Sequence, residues 1–102
     1  MIFHIAKADE WGSSYDKEVY VPFDYEKEGF IHCSYEHQLN DVIARYYANE
    51  KTVYILSIDE TLLLPELRVE LSDSVNDYFP HIYGPLNKDS IVSYDERKIN
   101  EG

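Results

Sequence analysis

The sequence predicts an α+β fold with a small mixed or mostly antiparallel sheet, possibly split into two parts, and one main amphipathic helix. Segments with the composition or alternation of strands outnumber helical segments, and the two types follow no regular strand–helix order. One segment alone has a strong helical periodicity. With 102 residues, the chain has the length of one domain, and we expect a single domain over residues 1–102.

The chain begins with a predicted strand over Met1–Ala6, whose alternation places His4 on the face opposite to Phe3 and Ile5. The next predicted segments are a short helix over Asp9–Tyr15, an extended piece over Val19–Pro22 and a charged loop over Asp24–Glu28 that Gly29 closes.

A second strand over Phe30–Cys33 runs directly into the main helix. Alternation along an extended chain puts His32 and Ser34 on one face of this strand. Ser34 is a good N-cap residue, although its hydroxyl could instead meet a ligand at the start of the helix. The helix is predicted from an apolar stripe at helical spacing, and Asn49 is its expected end; the stripe comprises Leu39, Val42, Ile43, Tyr46 and Tyr47.

The second half of the chain reads mainly as strands. Thr52–Ile58 has the apolar, β-branched composition of a central strand that is covered on both faces. Leu67–Leu71 alternates, which predicts that Leu67, Val69 and Leu71 point inward while Arg68 and Glu70 share the other face. The remaining segments are predicted as a turn over Asp59–Leu64, a loop over Ser72–Tyr78, a proline-containing loop with a short strand over Phe79–Leu86, and a last strand over Ser90–Tyr94.

The net charge of −11 argues against binding to nucleic acids or to anionic membrane surfaces, since the chain gathers no basic patch. Its single cysteine, Cys33, excludes an intrachain disulfide and is best explained as a small core residue. No apolar run reaches the length of a membrane helix, so we expect a cytoplasmic protein. The sequence leaves the oligomeric state open.

Three histidines, His4, His32 and His81, occupy distinctive positions and are the first candidates for a functional site. Imidazole can transfer protons or bind a metal near neutral pH, although a single histidine in a strand is more often structural. The pair Arg68 and Glu70 could be an ordinary surface ion pair or a carboxylate oriented beside a cation for use with a ligand.

The chain resembles the domain-of-unknown-function 952 family of small bacterial proteins over nearly its whole length. The residues that carry the resemblance are Phe3-His4-Ile5-Ala6 with Trp11, Gly29-Phe30-Ile31-His32-Cys33-Ser34 with Gln38, Ala44-Arg45-Tyr46-Tyr47, Leu56-Ser57-Ile58-Asp59, Arg68-Val69-Glu70 and Phe79-Pro80-His81-Ile82-Tyr83-Gly84-Pro85-Leu86.

Members of this family look distantly similar to ADP-ribosyltransferase-type folds, in which a split sheet clasps NAD between two halves. The resemblance implies a histidine near the nicotinamide ribose, which His4 matches. It also implies a serine or tyrosine after a middle strand, Ser34 or Tyr35, and a late acidic residue, Glu70.

Three hypotheses about function follow, and the sequence leaves all of them open. The first is an ADP-ribosyltransferase-like enzyme or a handler of NAD or ADP-ribose, in which His4, His32, Arg68 and His81 converge on one pocket. The second is a non-catalytic module that binds a small molecule or a protein. The third is a metal-dependent enzyme that uses the three histidines. Under the first, the proposed catalytic residues are His4, His32, Glu70 and His81, the proposed ligand-binding residues are Ser34, Arg68 and Tyr83, and no metal is expected.

Overall fold

The computed structural model describes residues 1–100 of the chain. Its strands are β1 (Ile2–Lys7), β2 (Val19–Tyr20), β3 (Ile31–His32), β4 (Thr52–Ile58), β5 (Glu66–Ser72), β6 (Asp77–Tyr83), β7 (Leu86–Asn87) and β8 (Ile91–Lys98). Its α-helices are α1 (Ala8–Ser13), α2 (Tyr25–Glu28) and α3 (Leu39–Tyr46), and short 3-10 turns lie at Glu36–Gln38, Glu60–Leu62 and Lys88–Ser90.

Two three-stranded sheets, in the orders β1-β4-β8 and β3-β6-β5, account for most of the strands, and β2 and β7 form a separate two-stranded ribbon. Every strand pair is antiparallel. The predicted α+β class, with its antiparallel sheets and one main helix, is therefore confirmed.

The two larger sheets are joined at one point, where Phe3 of β1 meets Ser34 just beyond the end of β3. The Phe3 amide donates to the Ser34 carbonyl at 2.9 Å, and the Ser34 amide donates to the Phe3 carbonyl at 2.7 Å. Since β1 and β3 are thereby neighbours, the two sheets form the two halves of one split sheet. We call this junction the seam.

Apolar side chains pack on both faces of the β1-β4-β8 half. On one face, α3 contributes Leu39 and Ile43 to a cluster with Val53 and Ile55 of β4. The second cluster, on the other face, contains Ile2, Ala6, Tyr20, Ile31, Cys33, Leu56, Ile58, Ile82 and Leu86. The prediction that Thr52–Ile58 is a central strand covered on both faces is confirmed, and Cys33 is a buried core residue as expected.

Ser34 does not cap the main helix, contrary to the sequence-based expectation, because its backbone is extended and paired with β1. The helical region begins instead with the turn at Glu36–Gln38, for which Tyr35 is the N-cap residue. There the side-chain oxygen of Gln38 accepts a hydrogen bond from the Tyr35 amide at 2.9 Å. A capping position therefore lies one residue further along the chain than predicted.

The segment predicted as a charged loop over Asp24–Glu28 contains the short helix α2. Gly29 ends this helix with a φ of 85°, a left-handed conformation that glycine adopts without the steric cost paid by other residues. Its amide donates to the Tyr25 carbonyl at 2.8 Å, which completes the last turn.

The region predicted as a loop over Phe79–Leu86 is mostly the seven-residue strand β6, which lies between β3 and β5. The carbonyl of Pro80 points towards the β3 side, where it accepts the Cys33 amide at 3.0 Å. In an antiparallel ladder the nitrogen of a residue points to the same side as its carbonyl, so the N–H that Pro80 lacks would also point to this side. Pro80 is tolerated because this position lies beyond the last paired residues of β3.

Strand β5 is an edge strand, and this position explains why its apolar stripe is less buried than predicted. Leu67 packs against the core, but Val69 and Leu71 are 53% and 47% exposed, so the expectation that all three point into the core is wrong. No helix of residues 1–100 has both the length and the apolar composition needed to cross a membrane.

Close packing between Gly84 and Pro65 generates a prediction about stability. A Cβ at position 84 would lie 2.7 Å from the Cβ of Pro65, whose ring cannot rotate away. We expect Gly84→Ala to lower the free energy of unfolding by about 1–3 kcal/mol in urea denaturation. Gly12→Ala is the control, because a Cβ at this position in α1 meets nothing within 4 Å and should stabilise by up to about 1 kcal/mol. Equal effects of the two substitutions would contradict the packing argument.

Candidate functional site

A cleft of about 630 Å³ opens at the seam between the two halves of the sheet. Four of the residues singled out from the sequence line it together: His4 from β1, His32 from β3, Ser34 beside the seam and His81 from β6. Arg68, Glu70 and Tyr83 do not line it among the residues that the structure describes. The expected convergence therefore holds for the three histidines and not for Arg68.

His4 is a buried histidine with both ring nitrogens in hydrogen bonds. Nδ1 lies 2.6 Å from the carbonyl oxygen of His32, which can only accept, so Nδ1 carries the proton. In the neutral ring Nε2 is then an acceptor, and the Tyr20 hydroxyl donates to it at 3.0 Å. Burial lowers the pKa of His4 to about 4, although the bond to His32 works in the opposite direction. His4 is therefore neutral at pH 7.

His81 is held by a carboxylate that lies behind it. Its Nδ1 is 2.8 Å from Oε1 of Glu70, and the Tyr83 hydroxyl donates to the same oxygen at 2.5 Å. The hydrogen bonds from Tyr83 and His81 lower the pKa of Glu70, and the bond to Glu70 raises the pKa of Tyr83. Because Glu70 is the acceptor, Nδ1 of His81 carries a proton, and Nε2 is the ring nitrogen that Glu70 does not engage.

Two polar atoms that lie on the cleft wall are without protein partners. Ser34 and His81 are only 4% and 8% exposed, and both line the cleft. Within residues 1–100, neither the Ser34 hydroxyl nor Nε2 of His81 makes a hydrogen bond. No fully buried side-chain nitrogen or oxygen of these residues lacks a partner, so both atoms remain accessible to solvent and are candidates to bind a ligand in the cleft.

Aromatic rings surround the histidines. Phe30 stacks on His81 with ring centroids 4.2 Å apart and also lies 4.7 Å from His32. The rings of His32 and His81 meet edge to face at 5.4 Å. Burial, followed by the neighbouring His81, lowers the pKa of His32, while Glu28 opposes this shift from 3.9 Å.

Arg68 lies outside the cleft and is occupied by other partners. Its guanidinium forms two hydrogen bonds with Glu66, at 2.9 and 3.1 Å, and lies 4.4 Å from the centre of the Tyr83 ring. Arg68 faces His81 across β5 and β6, as the strand register requires, but its side chain turns towards Glu66.

Two buried polar residues that the sequence analysis did not assign to the site hold its walls in place. Gln38 donates to the Asp77 carboxylate at 2.9 Å and to the Tyr78 carbonyl at 2.8 Å, which ties the turn before α3 to the start of β6. Glu10, which lines the cleft, accepts hydrogen bonds from the amides of Lys7 and Phe23. A glutamine or glutamate three residues after an N-cap position, here Lys7 for Glu10 and Tyr35 for Gln38, is the sequence signature that could have indicated both.

The arrangement gives no support to the three-histidine metal hypothesis. Within residues 1–100 no group of three or more histidine, cysteine, aspartate or glutamate side chains is arranged to hold a metal ion. Both ring nitrogens of His4 are already engaged.

Fold and site together define a small α+β protein with a histidine-lined cleft at the seam of a split sheet. Residues 5–94 match the family described as Protein of unknown function (DUF952), and the chain belongs to this family. The family resemblance seen in the sequence is thereby confirmed.

The fold is also that of a crystal structure of protein CC0527 from Caulobacter crescentus, with a TM-score of 0.85 and 22% sequence identity. The match covers 98% of this chain and 88% of that one. A double mutant of CC0527 matches with the same TM-score and coverage at 21% identity. No curated protein matches the chain.

The depressed pKa of His4 predicts how stability depends on pH. As the pH falls below 6.5, the ordinary pKa of histidine, His4 becomes protonated in the unfolded chain. In the folded chain it stays neutral until about pH 4, the lowered value of its pKa. Stability should therefore fall by about 3 kcal/mol as the pH drops through this window and be unaffected by His4 above it. We expect His4→Asn to flatten the pH dependence of the free energy of unfolding between these values. His37→Asn, at an exposed histidine, is the control, and parallel curves for wild type and His4→Asn would contradict the burial argument.

The shared oxygen of Glu70 generates a second prediction for this site. Removing the Tyr83 hydroxyl, as in Tyr83→Phe, deletes the hydrogen bond that contributes most to the low pKa of Glu70. The pKa of Glu70, followed by NMR of its side-chain carboxyl carbon, should rise towards its ordinary value. Tyr78→Phe, at an exposed tyrosine of the same strand, should leave this pKa unchanged. An unchanged pKa in both variants would show that Tyr83 does not stabilise the carboxylate.

Proposed function

We propose that the cleft binds NAD or a related ribosyl ligand, in the manner of an ADP-ribosyltransferase-like protein. The observation that carries this proposal is the meeting of His4, Ser34 and His81 at the seam of the split sheet. The family resemblance implies that such a fold clasps NAD between two halves, with a first-strand histidine near the nicotinamide ribose. The location of His4 on β1 and of Ser34 next to the seam supports this proposal.

Within this proposal, Ser34 and His81 are the residues that touch the ligand. The Ser34 hydroxyl can donate or accept, and Nε2 of His81 can accept a hydrogen bond from a ribose hydroxyl. Glu70 lies behind His81, so we assign it the role of a positioning residue that orients the imidazole through Nδ1. Tyr83 supports Glu70 in turn.

His4 and His32 have different proposed roles. His4 uses both nitrogens within the protein, so we assign it a positioning role in which it fixes the carbonyl of His32. His32 has a side chain that is 56% exposed and can move to meet a ligand. Arg68 is not required for this binding mode, because Glu66 and Tyr83 hold it outside the cleft.

A non-catalytic binding module is the second candidate, and one observation favours it. An ADP-ribosyltransferase-like reaction would need a carboxylate beside the ribose to stabilise a cationic transition state. Glu70 was the expected carboxylate, yet its Oε1 is occupied by His81 and Tyr83 and it lies outside the cleft wall. A ligand could therefore be bound without being converted.

An amide NMR titration with NAD tests the proposal. We expect saturable shifts around the cleft in the wild type, and an affinity about five- to tenfold lower in Ser34→Ala and in His81→Gln, since each substitution removes one hydrogen bond. Arg68→Gln is the matched control and should bind as the wild type does.

The outcomes separate the two candidates. Release of free nicotinamide in the same samples, with loss of release in His81→Gln, would indicate an enzyme, and binding without release would favour the binding module. Absence of saturable shifts at millimolar NAD, or shifts centred on Arg68, would refute the proposal.

A further inference from the structure

The charges that line the cleft are mostly negative. Glu10, Asp24 and Glu28 contribute carboxylates, and Lys7 contributes the ammonium group of the lining. Glu10 uses its two oxygens to accept backbone amides, whereas Asp24 and Glu28 are exposed at the cleft rim. The cleft therefore faces incoming ligands with a negative rim.

The other groups near the cleft do not compensate for this charge. The pKa of His4 is lowered to about 4 and the pKa of His32 is also lowered, so neither ring is cationic at pH 7. No arginine lines the cleft among residues 1–100, and Arg68 is paired with Glu66 outside it. Recognition of phosphate normally relies on arginine, on lysine or on amides at a helix start. In the part of the chain that the structure describes, Lys7 is the one lysine or arginine that lines this cleft.

The wall of the cleft is instead suited to a ring that carries positive charge. Five aromatic residues line it: Phe23, Phe30, Tyr46, Tyr47 and Phe79. Phe23 and Tyr46 are 63% and 62% exposed although they are large aromatic residues. Aromatic faces attract cations through the ring quadrupole, and neighbouring carboxylates add a separate Coulomb attraction.

The two unpartnered polar atoms complete the description of the ligand. The Ser34 hydroxyl and Nε2 of His81 belong to residues that line the same cleft, and both are suited to the hydroxyls of a sugar. A sugar hydroxyl can both donate and accept, so it can pair with either atom.

We infer that the cleft selects a phosphate-free pyridinium nucleoside, a cationic ring joined to a ribose, over ligands that carry a pyrophosphate. The inference rests on the proposed function and names the part of NAD that the cleft recognises. The rim carboxylates of Asp24 and Glu28 attract the ring cation, aromatic faces cover it, and Ser34 and His81 bind the ribose hydroxyls.

The test compares nicotinamide riboside, NAD and ADP-ribose by amide NMR titration of the full chain. Nicotinamide riboside should bind at least as tightly as NAD, and ADP-ribose should bind about tenfold more weakly than nicotinamide riboside. Raising the ionic strength to the physiological value, where the Debye length is about 8 Å, should weaken binding of nicotinamide riboside and should not weaken binding of ADP-ribose.

Charge-neutral variants test the rim directly. The double variant Asp24→Asn/Glu28→Gln should lower the affinity for nicotinamide riboside about fivefold, as expected for the loss of two exposed charges, and should not lower the affinity for ADP-ribose. The control is Glu26→Gln/Asp95→Asn, which changes the net charge equally. Glu26 lies on α2 with Glu28 but does not line the cleft, and Asp95 lies on β8.

The possible outcomes distinguish the inference from the proposed function. If none of the three ligands binds, both fail. If NAD and ADP-ribose bind and nicotinamide riboside binds much more weakly, the inference is overturned and the proposed function stands. If nicotinamide riboside binds but the rim variant and its control behave alike, the assignment of Asp24 and Glu28 is wrong.

Discussion

The paired main-chain hydrogen bonds between Phe3 and Ser34 are the constraint on which the site depends. They make β1 and the chain after β3 neighbours, and they join the two three-stranded antiparallel sheets. The side chain of His4 strengthens the same junction by donating to the carbonyl of His32. Because the cleft lies at this junction, the interaction that holds the fold together also determines the distance between the groups on its walls.

The same junction explains why the three histidines differ chemically. His4 points into the core beside Tyr20, where burial keeps it neutral and leaves no nitrogen free. His32 lies on the opposite side of its strand from the core residue Ile31 and remains largely exposed. His81 lies between these extremes, with Nδ1 bonded to a carboxylate and no hydrogen bond at Nε2 within residues 1–100. Under the proposed function, His81 is therefore the buried ring best suited to contact a ligand.

The electrostatic character of the cleft agrees with that of the whole chain. A net charge of −11 disfavours the approach of anions, and the rim carboxylates extend this field to the mouth of the cleft. A ligand that carries a pyrophosphate would be repelled both by the net charge of the chain and by the carboxylates at the cleft rim. This negative charge is thus consistent with a ligand that is itself cationic or neutral.

The sequence by itself determined the α+β class, the face of β1 that carries His4, the central position of Thr52–Ile58 and the family, because alternation, composition and short motifs are local properties of the chain. It could not determine that Ser34 pairs with β1 and does not cap a helix, that Pro80 lies within a strand, or that Arg68 turns towards Glu66. The first two depend on strands that are distant in the sequence. The third depends on which neighbour the Arg68 side chain contacts, and the alternation of residues along a strand does not distinguish between these neighbours. Only the tertiary structure decided which polar atoms meet at the seam. Hydrogen bonds there join segments that are far apart in the sequence, and the pattern of residues within each segment does not indicate which other segment it packs against.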